Sequence, residues 1–259
     1  MKNLFVFHGA DHKSGVTMIA QSTAQLIASQ NRDINVLFIA LNGRKSSEFI
    51  KGEVKTIDEF KLQLDSKLLM SRDFVRDCKH ERNLHILAGP VHEQEERYYF
   101  PDSATYLLES VADSFEIIIA DTGNELDNGL ALGGMSAAAK RYLILDQLES
   151  NLSRYEKMSP LFEKAGIRFD GFIINKFYAD DPYTLPYILE RLRLQREKAY
   201  TVQAASSERQ AEREHKTLME CKTPCYQADI SAVANDISEA VGLPSIKIQR
   251  KHKRWKNFI

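Results

Sequence analysis

Residues Leu4 to Gln30 read LFVFHGADHKSGVTMIAQSTAQLIASQ. Leu4–Phe7 is a short apolar run that stops at His8 and Gly9, and a helical pattern, Thr17–Gln30, begins after the polar stretch. In a strand, small-residue loop and helix arranged in this way, backbone N–H groups and the positive end of the helix dipole converge on an anion. The phosphate-loop pattern G-x-x-x-x-G-K-[S/T] lies over residues 10–17, ADHKSGVT. Gly15 and Thr17 stand where the pattern wants them, but the first glycine is Ala10 and the lysine is Val16. Taken alone, the segment reads either as a phosphate loop or as a plain capped turn between a strand and a helix.

Downstream, short apolar runs alternate with helical patterns. Strands are expected at Leu4–Phe7, Asn35–Leu41, Leu84–Leu87, Glu116–Asp121, Tyr142–Leu145, Phe169–Ile174 and Tyr200–Val202. Helices are expected at Thr17–Gln30, Lys67–Cys78, Ala104–Ala112, Leu152–Ala165, Leu185–Arg196 and Asp229–Val241. Strands separated by helices of this length predict βαβ units and a mostly parallel sheet of roughly seven strands, with helices on both faces. Ile117–Ala120 is apolar throughout, as in a strand covered on both sides. Gly43–Ser66 is polar and weakly periodic and reads as loop-rich, and Gly242-Leu243-Pro244 should stop the last helix.

The bulk numbers suit one α/β domain. The chain has 259 residues, 43% hydrophobic and 27% charged, enough to bury a core without staples. Cys78, Cys221 and Cys225 are few and lack zinc-finger spacing, so they read as thiols in a reducing compartment. No apolar stretch matches a signal peptide or a membrane span, so a cytoplasmic location is expected. Six of the 35 Lys and Arg fall between Lys247 and Ile259 with no acid among them. The rest of the chain is left with 29 against 36 Asp and Glu, a net of −7.

Further along, FEIIIAD (Phe115–Asp121) is an apolar strand ending in an acid and is followed by Thr122 and Gly123. In P-loop proteins such an aspartate meets the magnesium shell. Phe172–Lys176, FIINK, ends another strand with an amide and a base.

As an ordered set, these elements resemble the ParA/MinD superfamily of P-loop ATPases, whose loop is K-G-G-V-G-K-T-T. The helix TxAxNLAxALA is matched in frame by Thr17, Ala20, Ser22, Ala24 and Leu26. The strand VLLIDLD corresponds to Val36–Asn42, LYLLPGP to Leu84–Pro90, YDYIIIDTPP to Phe115–Gly123, and GVVLNR to Gly171–Lys176. An A-x-x-x-G-K-x-L ending is matched by Ala211, His215, Lys216 and Leu218. The resemblance spans roughly residues 1 to 243, which sets a P-loop domain at 1–243 and a basic tail at 244–259. It implies ATP or ADP with Mg2+. Lys13, Ser14, Gly15, Val16 and Thr17 would lie on the phosphates, Asn175 on the adenine, and Thr17 and Asp121 on the metal. It also implies a homodimer and a protein partner in a localisation system.

The departures concern charge. The family's two loop lysines are Asp11 and Val16 here, its glycine pair is His12 and Lys13, and the aspartates of its second strand are Ala40 and Asn42. A hydrogen bond to a charged group is worth about 1.5–3 kcal/mol, so one missing lysine weakens phosphate binding roughly ten- to a hundredfold. Weak or no hydrolysis is therefore expected, with Lys13, on its flexible stem, as the substitute cation. An active ATPase using Lys13 and a nucleotide-free scaffold are the alternatives. Asp11 beside a triphosphate is repulsive unless it is turned away or bound to a cation. The superfamily subgroup that tolerates a damaged loop is similar to TadZ/CpaE, which localises pilus assembly machinery.

Secondary candidates are Asp146 and Gln147 after the fifth strand, and the stretch Gly123–Gly134, read as switch-like or as a flexible loop before a helix. The mixed charges of Glu190–Lys198 read as a solvated face. In the tail, KIQRKHKRWKNFI, a helical wheel gathers Ile248, Trp255 and Ile259 on one side and the cations elsewhere. That pattern suits a membrane-surface anchor, and MinD-like proteins end in such a helix. A nucleic-acid contact or a solvated tail are the other readings.

Overall fold

A computed structural model describes residues 1–92, 98–221 and 223–247. Beyond Lys247, the expected amphipathic tail lies outside the described residues. The strands are β1 Leu4–Gly9, β2 Val36–Ala40, β3 Lys55–Thr56, β4 Leu84–Ala88, β5 Ile117–Asp121, β6 Lys140–Leu145, β7 Gly171–Phe177 and β8 Ala199–Gln203. The helices are α1 Val16–Gln30, α2 Lys61–Asp65, α3 Ser71–Asp77, α4 Pro101–Val111, α5 Gly129–Ala137, α6 Glu149–Lys164, α7 Leu185–Arg191, α8 Glu208–Arg213 and α9 Pro224–Ala240.

The strands form one sheet in the order β3-β4-β2-β5-β1-β6-β7-β8, and each of these pairs is parallel. Alternation along β1 divides the core between the two faces. Phe5 and Phe7 join Ile19, Ile27 and the α9 residues Ile230, Val233 and Ile237 on one face. Leu4 and Val6 join Leu107, Leu108, Leu130 and Phe162 on the other. Both faces are thus covered, which explains why Ile117–Ala120 carries no polar residue and is fully buried.

Three stretches hold more structure than the sequence reveals. The stretch Gly43–Ser66 is not all loop. It holds β3, a 3-10 turn at Ile57–Phe60 and α2, which bring the strand count to eight. β3 has only two residues and α2 only five, too short for periodicity to reveal. The glycine-rich Gly123–Gly134 stretch contains the start of α5, whose N-cap Asn128 accepts from Leu130 N and Ala131 N. Its glycines serve packing: a Cβ on Gly133 would meet Pro101 O of α4 at 2.4 Å. Finally, Glu190–Lys198 is not simply a solvated face. Helix α7 ends at Arg191, which chelates Glu149 and Glu156 of α6 at 2.6 and 2.9 Å with its own side chain only 16% exposed.

Smaller differences sit at helix ends. α9 starts five residues earlier than Asp229, with Pro224 at its first turn. It stops at Ala240 before Gly242, whose φ of 74° ends it as expected. Asn235 of α9 then bonds both the N–H and the carbonyl of Ile246.

A candidate phosphate-binding site

The loops leaving the C-terminal ends of β1, β5 and β7 meet at one rim of the sheet, where ligands collect in open α/β folds. β1 lies between β5 and β6, with Phe7 in register with Asp121. That register brings the end of the acid-terminated strand beside the loop that leaves β1.

The loop's shape follows from two residues in the left-handed region, Lys13 at φ 58° and Gly15 at φ 92°. Gly15 caps α1, and a Cβ there would meet Asn175 Nδ2 at 2.3 Å. A side chain is excluded there both by conformation and by space. Asn175 Nδ2 donates to Ser14 O at 2.8 Å, and Lys176 Nζ donates to Lys13 O at 3.1 Å. Asn175 and Lys176, the last residues of β7 before Phe177, therefore clamp the loop from outside.

With its carbonyls held, the loop turns its donors elsewhere. Gly9 N and Ala10 N bond Gly123 O and Ile144 O, and His12 N bonds Asp11 Oδ1. The N–H groups from Lys13 through Thr17 find no protein acceptor among the described residues. They border a cavity of about 510 Å3 lined by Lys13, Gly15, Thr17, Asp121 and Asn175 among others. Successive unpaired N–H groups at a helix N-terminus are an anion cradle. Val16, at the lysine position, is buried in the core with α1 and supplies no charge.

Thr17 Oγ1 donates to Asp121 Oδ2 at 2.5 Å. Asn42 Nδ2 reaches the same oxygen at 2.9 Å, and Gly123 N reaches Oδ1 at 2.8 Å. Burial pushes the Asp121 carboxyl up to about 6, against the three hydrogen bonds that favour its ionised form. A buried carboxylate with a hydroxyl on it is a hard oxygen pair, and it fits Mg2+ whose other ligands come from water and phosphate. Thr17 and Asp121 are the residues that would hold the metal.

The surroundings are acidic. Asp11, Glu48, Asp121, Glu125, Glu208 and Glu212 line the cavity against Lys13, Arg44 and Lys176. Asp11, foreseen as repulsive, has a counter-charge: Arg154 Nε of α6 lies 3.5 Å from its Oδ1. Arg154 had no signal in the sequence, since it sits in a polar helix outside any motif. Asn42 is positioned by Ser46, whose Oγ accepts from it at 2.7 Å.

The secondary candidates play structural parts. Asp146 accepts from Leu148 N at 3.0 Å and turns the chain into α6, and burial raises its carboxyl. Gln147 Nε2 ties down the carbonyls of Tyr178 and Tyr183. His8 is fully buried among Phe162 and Phe169, with Nδ1 3.1 Å from Thr122 Oγ1. Burial lowers its pKa to about 4, so it stays neutral. Among the described residues, no cluster of His, Cys, Asp and Glu suits a metal held by protein alone, and no helix is long and apolar enough to cross a membrane.

No protein-family model matches the chain, and no curated protein matches it by sequence. Solved structures do match. A ParA family ATPase from Chlorobium tepidum aligns with a TM-score of 0.77 at 16% identity, covering 90% of this chain and 97% of that one. The septum site-determining protein MinD of Pyrococcus horikoshii, complexed with Mg-ADP, aligns at 0.73 and 14%, covering 93% and 98%. The MinC:MinD cell division protein complex of Aquifex aeolicus aligns at 0.70 and 15%, covering 96% and 98%. At these identities the likeness speaks for architecture, and the chain has the fold of the ParA and MinD ATPases.

Proposed function

We propose that this protein is a nucleotide-binding positioning or regulatory protein of the ParA/MinD type, with weak or no hydrolysis. The observation that carries the reading is the row of unpaired N–H groups from Lys13 through Thr17 beside the Thr17–Asp121 pair. Lys13, Ser14, Gly15, Val16 and Thr17 would hold the phosphates of ATP or ADP through the backbone. Lys13 is the side chain that would replace the missing loop lysine. Thr17 and Asp121 would hold Mg2+, which supplies charge neutralisation between the phosphates when bound. Asn175 secures the loop through Ser14 and Gly15, and a contact of its amide with the adenine rests on the family resemblance alone. Weak hydrolysis follows from Val16 and Asn42, neither of which bears a charge.

The wider reading rests on the resemblance and on the folds of the neighbours. It comprises a homodimer, a protein partner in a localisation, secretion or pilus system of the TadZ/CpaE kind, and a P-loop domain at 1–243. It also includes a basic tail at 244–259 that touches the inner face of a membrane, so that the protein works in the cytoplasm. Unchanged sedimentation with anionic vesicles after deletion of residues 247–259 would sink the tail assignment.

The central test is calorimetric titration with Mg-ATP to millimolar concentration, beside Thr17→Ala. Binding that the variant loses supports the reading. Hydrolysis above the Thr17→Ala background would make the protein an active ATPase, and absence of binding would make it a scaffold.

A further inference from the structure

The acidic lining poses a problem for any anion in this cleft. Six carboxylates and three Lys or Arg face the cavity, and two of the carboxylates, Asp11 and Glu125, border the phosphate loop itself. Both touch one cation that is not part of the lining. Arg154 Nε lies 3.5 Å from Asp11 Oδ1, and its Nη2 lies 3.6 Å from Glu125 Oε1. His12 Nε2 closes the chain at 3.3 Å from the same Glu125 oxygen.

These distances differ in kind from those of a locked pair. Arg191 grips Glu149 and Glu156 at 2.6 and 2.9 Å, the range of charge-assisted hydrogen bonds. Arg154 stands at ion-pair range from two carboxylates, and its buried Nε makes no hydrogen bond among the described residues. It is a cation shared between the loop and the segment after β5, with donor capacity unspent.

We propose that Arg154 is a positioning residue for the anion site: from α6 it neutralises Asp11 and Glu125 and holds Asp11 aside, so that the Lys13–Thr17 cradle accepts phosphate. The proposal rests on the nucleotide reading above and adds the residue on which that reading depends. Arg154 thereby takes over part of what the absent loop lysine would do, acting through Asp11 rather than on the ligand. Without it, two carboxylates would repel an entering polyphosphate at short range.

The test uses Arg154→Gln and the double variant Arg154→Gln/Asp11→Asn in the full chain. The side chain of Arg154 is 35% exposed, so glutamine opens no core cavity. Affinity for Mg-ATP and for magnesium pyrophosphate is measured by calorimetry at low ionic strength. Arg154→Gln should weaken both ligands at least tenfold, and Asp11→Asn in that background should restore most of the loss. A purely structural arginine would not be rescued by removing the charge of Asp11. Unchanged affinity in Arg154→Gln, or a loss that Asp11→Asn does not recover, overturns the proposal. If the unsubstituted protein binds neither ligand, the nucleotide reading itself fails. The inference is then judged by amide exchange at Ala10 and His12: faster exchange in Arg154→Gln supports its hold on the loop, and unchanged exchange refutes it.

Discussion

Thr17 and Asp121, 104 residues apart in sequence, are joined by a hydrogen bond of 2.5 Å from Oγ1 to Oδ2. The bond ties the first turn of α1 to the end of β5, and the carboxylate it serves is fully buried. The hydroxyl compensates the buried acid, and the same two side chains are the ones proposed to hold magnesium.

Replacing Thr17 with valine keeps the shape and removes the donor. Asp121 then loses one of its three hydrogen bonds, which should lower stability by about 1–3 kcal/mol. The urea midpoint reads the stability loss. Magnesium-dependent nucleotide binding, read by calorimetry, should disappear in the same variant, which separates the hydroxyl's role from that of the surrounding backbone.

Asp121→Asn tests the buried charge through the pH dependence of stability. Burial holds the native carboxyl at about 6, while the unfolded chain titrates near 3.8. Above pH 6 the folded protein carries a buried charge whose cost is absent when the group is protonated. Relative to the unsubstituted protein, the asparagine variant should therefore improve by up to about 3 kcal/mol as pH rises from about 4 to 7.5. This comes on top of a pH-independent loss from the side-chain NH2, which cannot accept from Thr17, Asn42 or Gly123. Denaturant midpoints at pH 7.5, 6 and 4.5 check this. A gain at neutral pH together with lost magnesium response would mark Asp121 as a residue kept for binding at the expense of stability.

The sheet was legible in the sequence because its central strands are buried on both faces and their apolar runs are unbroken, as in Ile117–Ala120. β3 was not, because two residues, Lys55 and Thr56, carry no period. α5 was missed because Gly129, Gly133 and Gly134 are poor helix formers read alone. The site divided along the same line. Gly15, Thr17 and Asp121 sit at the junctions of regular elements, where spacing fixes a role. Arg154 reaches the loop from α6 through a tertiary contact that leaves no pattern in the chain. Asn175 was visible as a strand-end amide, but its clamp on Ser14 depends on the left-handed turn at Gly15.

His8 supplies a pH dependence opposed to that of Asp121. Its native pKa is about 4, held down chiefly by burial, against an ordinary 6.5. Between pH 6.5 and 4 the unfolded chain takes up a proton that the folded chain refuses, so stability falls with pH by up to about 3 kcal/mol. Asp121 gains stability as pH falls through 6. The two largely offset each other in the unsubstituted protein. His8→Gln should remove the acid-side loss and show stability rising as pH drops from 6 to 4.5, whereas Asp121→Asn should fall more steeply than the unsubstituted protein. Parallel curves for all three proteins would contradict both assignments.

Gly133 distinguishes a packed helix from a flexible stretch. Inside a helix free of neighbours, glycine to alanine stabilises by about 1 kcal/mol, because alanine restricts the unfolded chain and favours the helix. In α5 the added Cβ would lie 2.4 Å from Pro101 O and 2.9 Å from Ala104 Cβ, so α4 must shift to admit it. Overpacking of this kind costs about 1–3 kcal/mol, which exceeds the gain in propensity. Gly133→Ala should therefore lower the denaturant midpoint. A raised midpoint would show that α5 does not pack closely against α4 and would return the Gly123–Gly134 stretch to the status of a mobile segment.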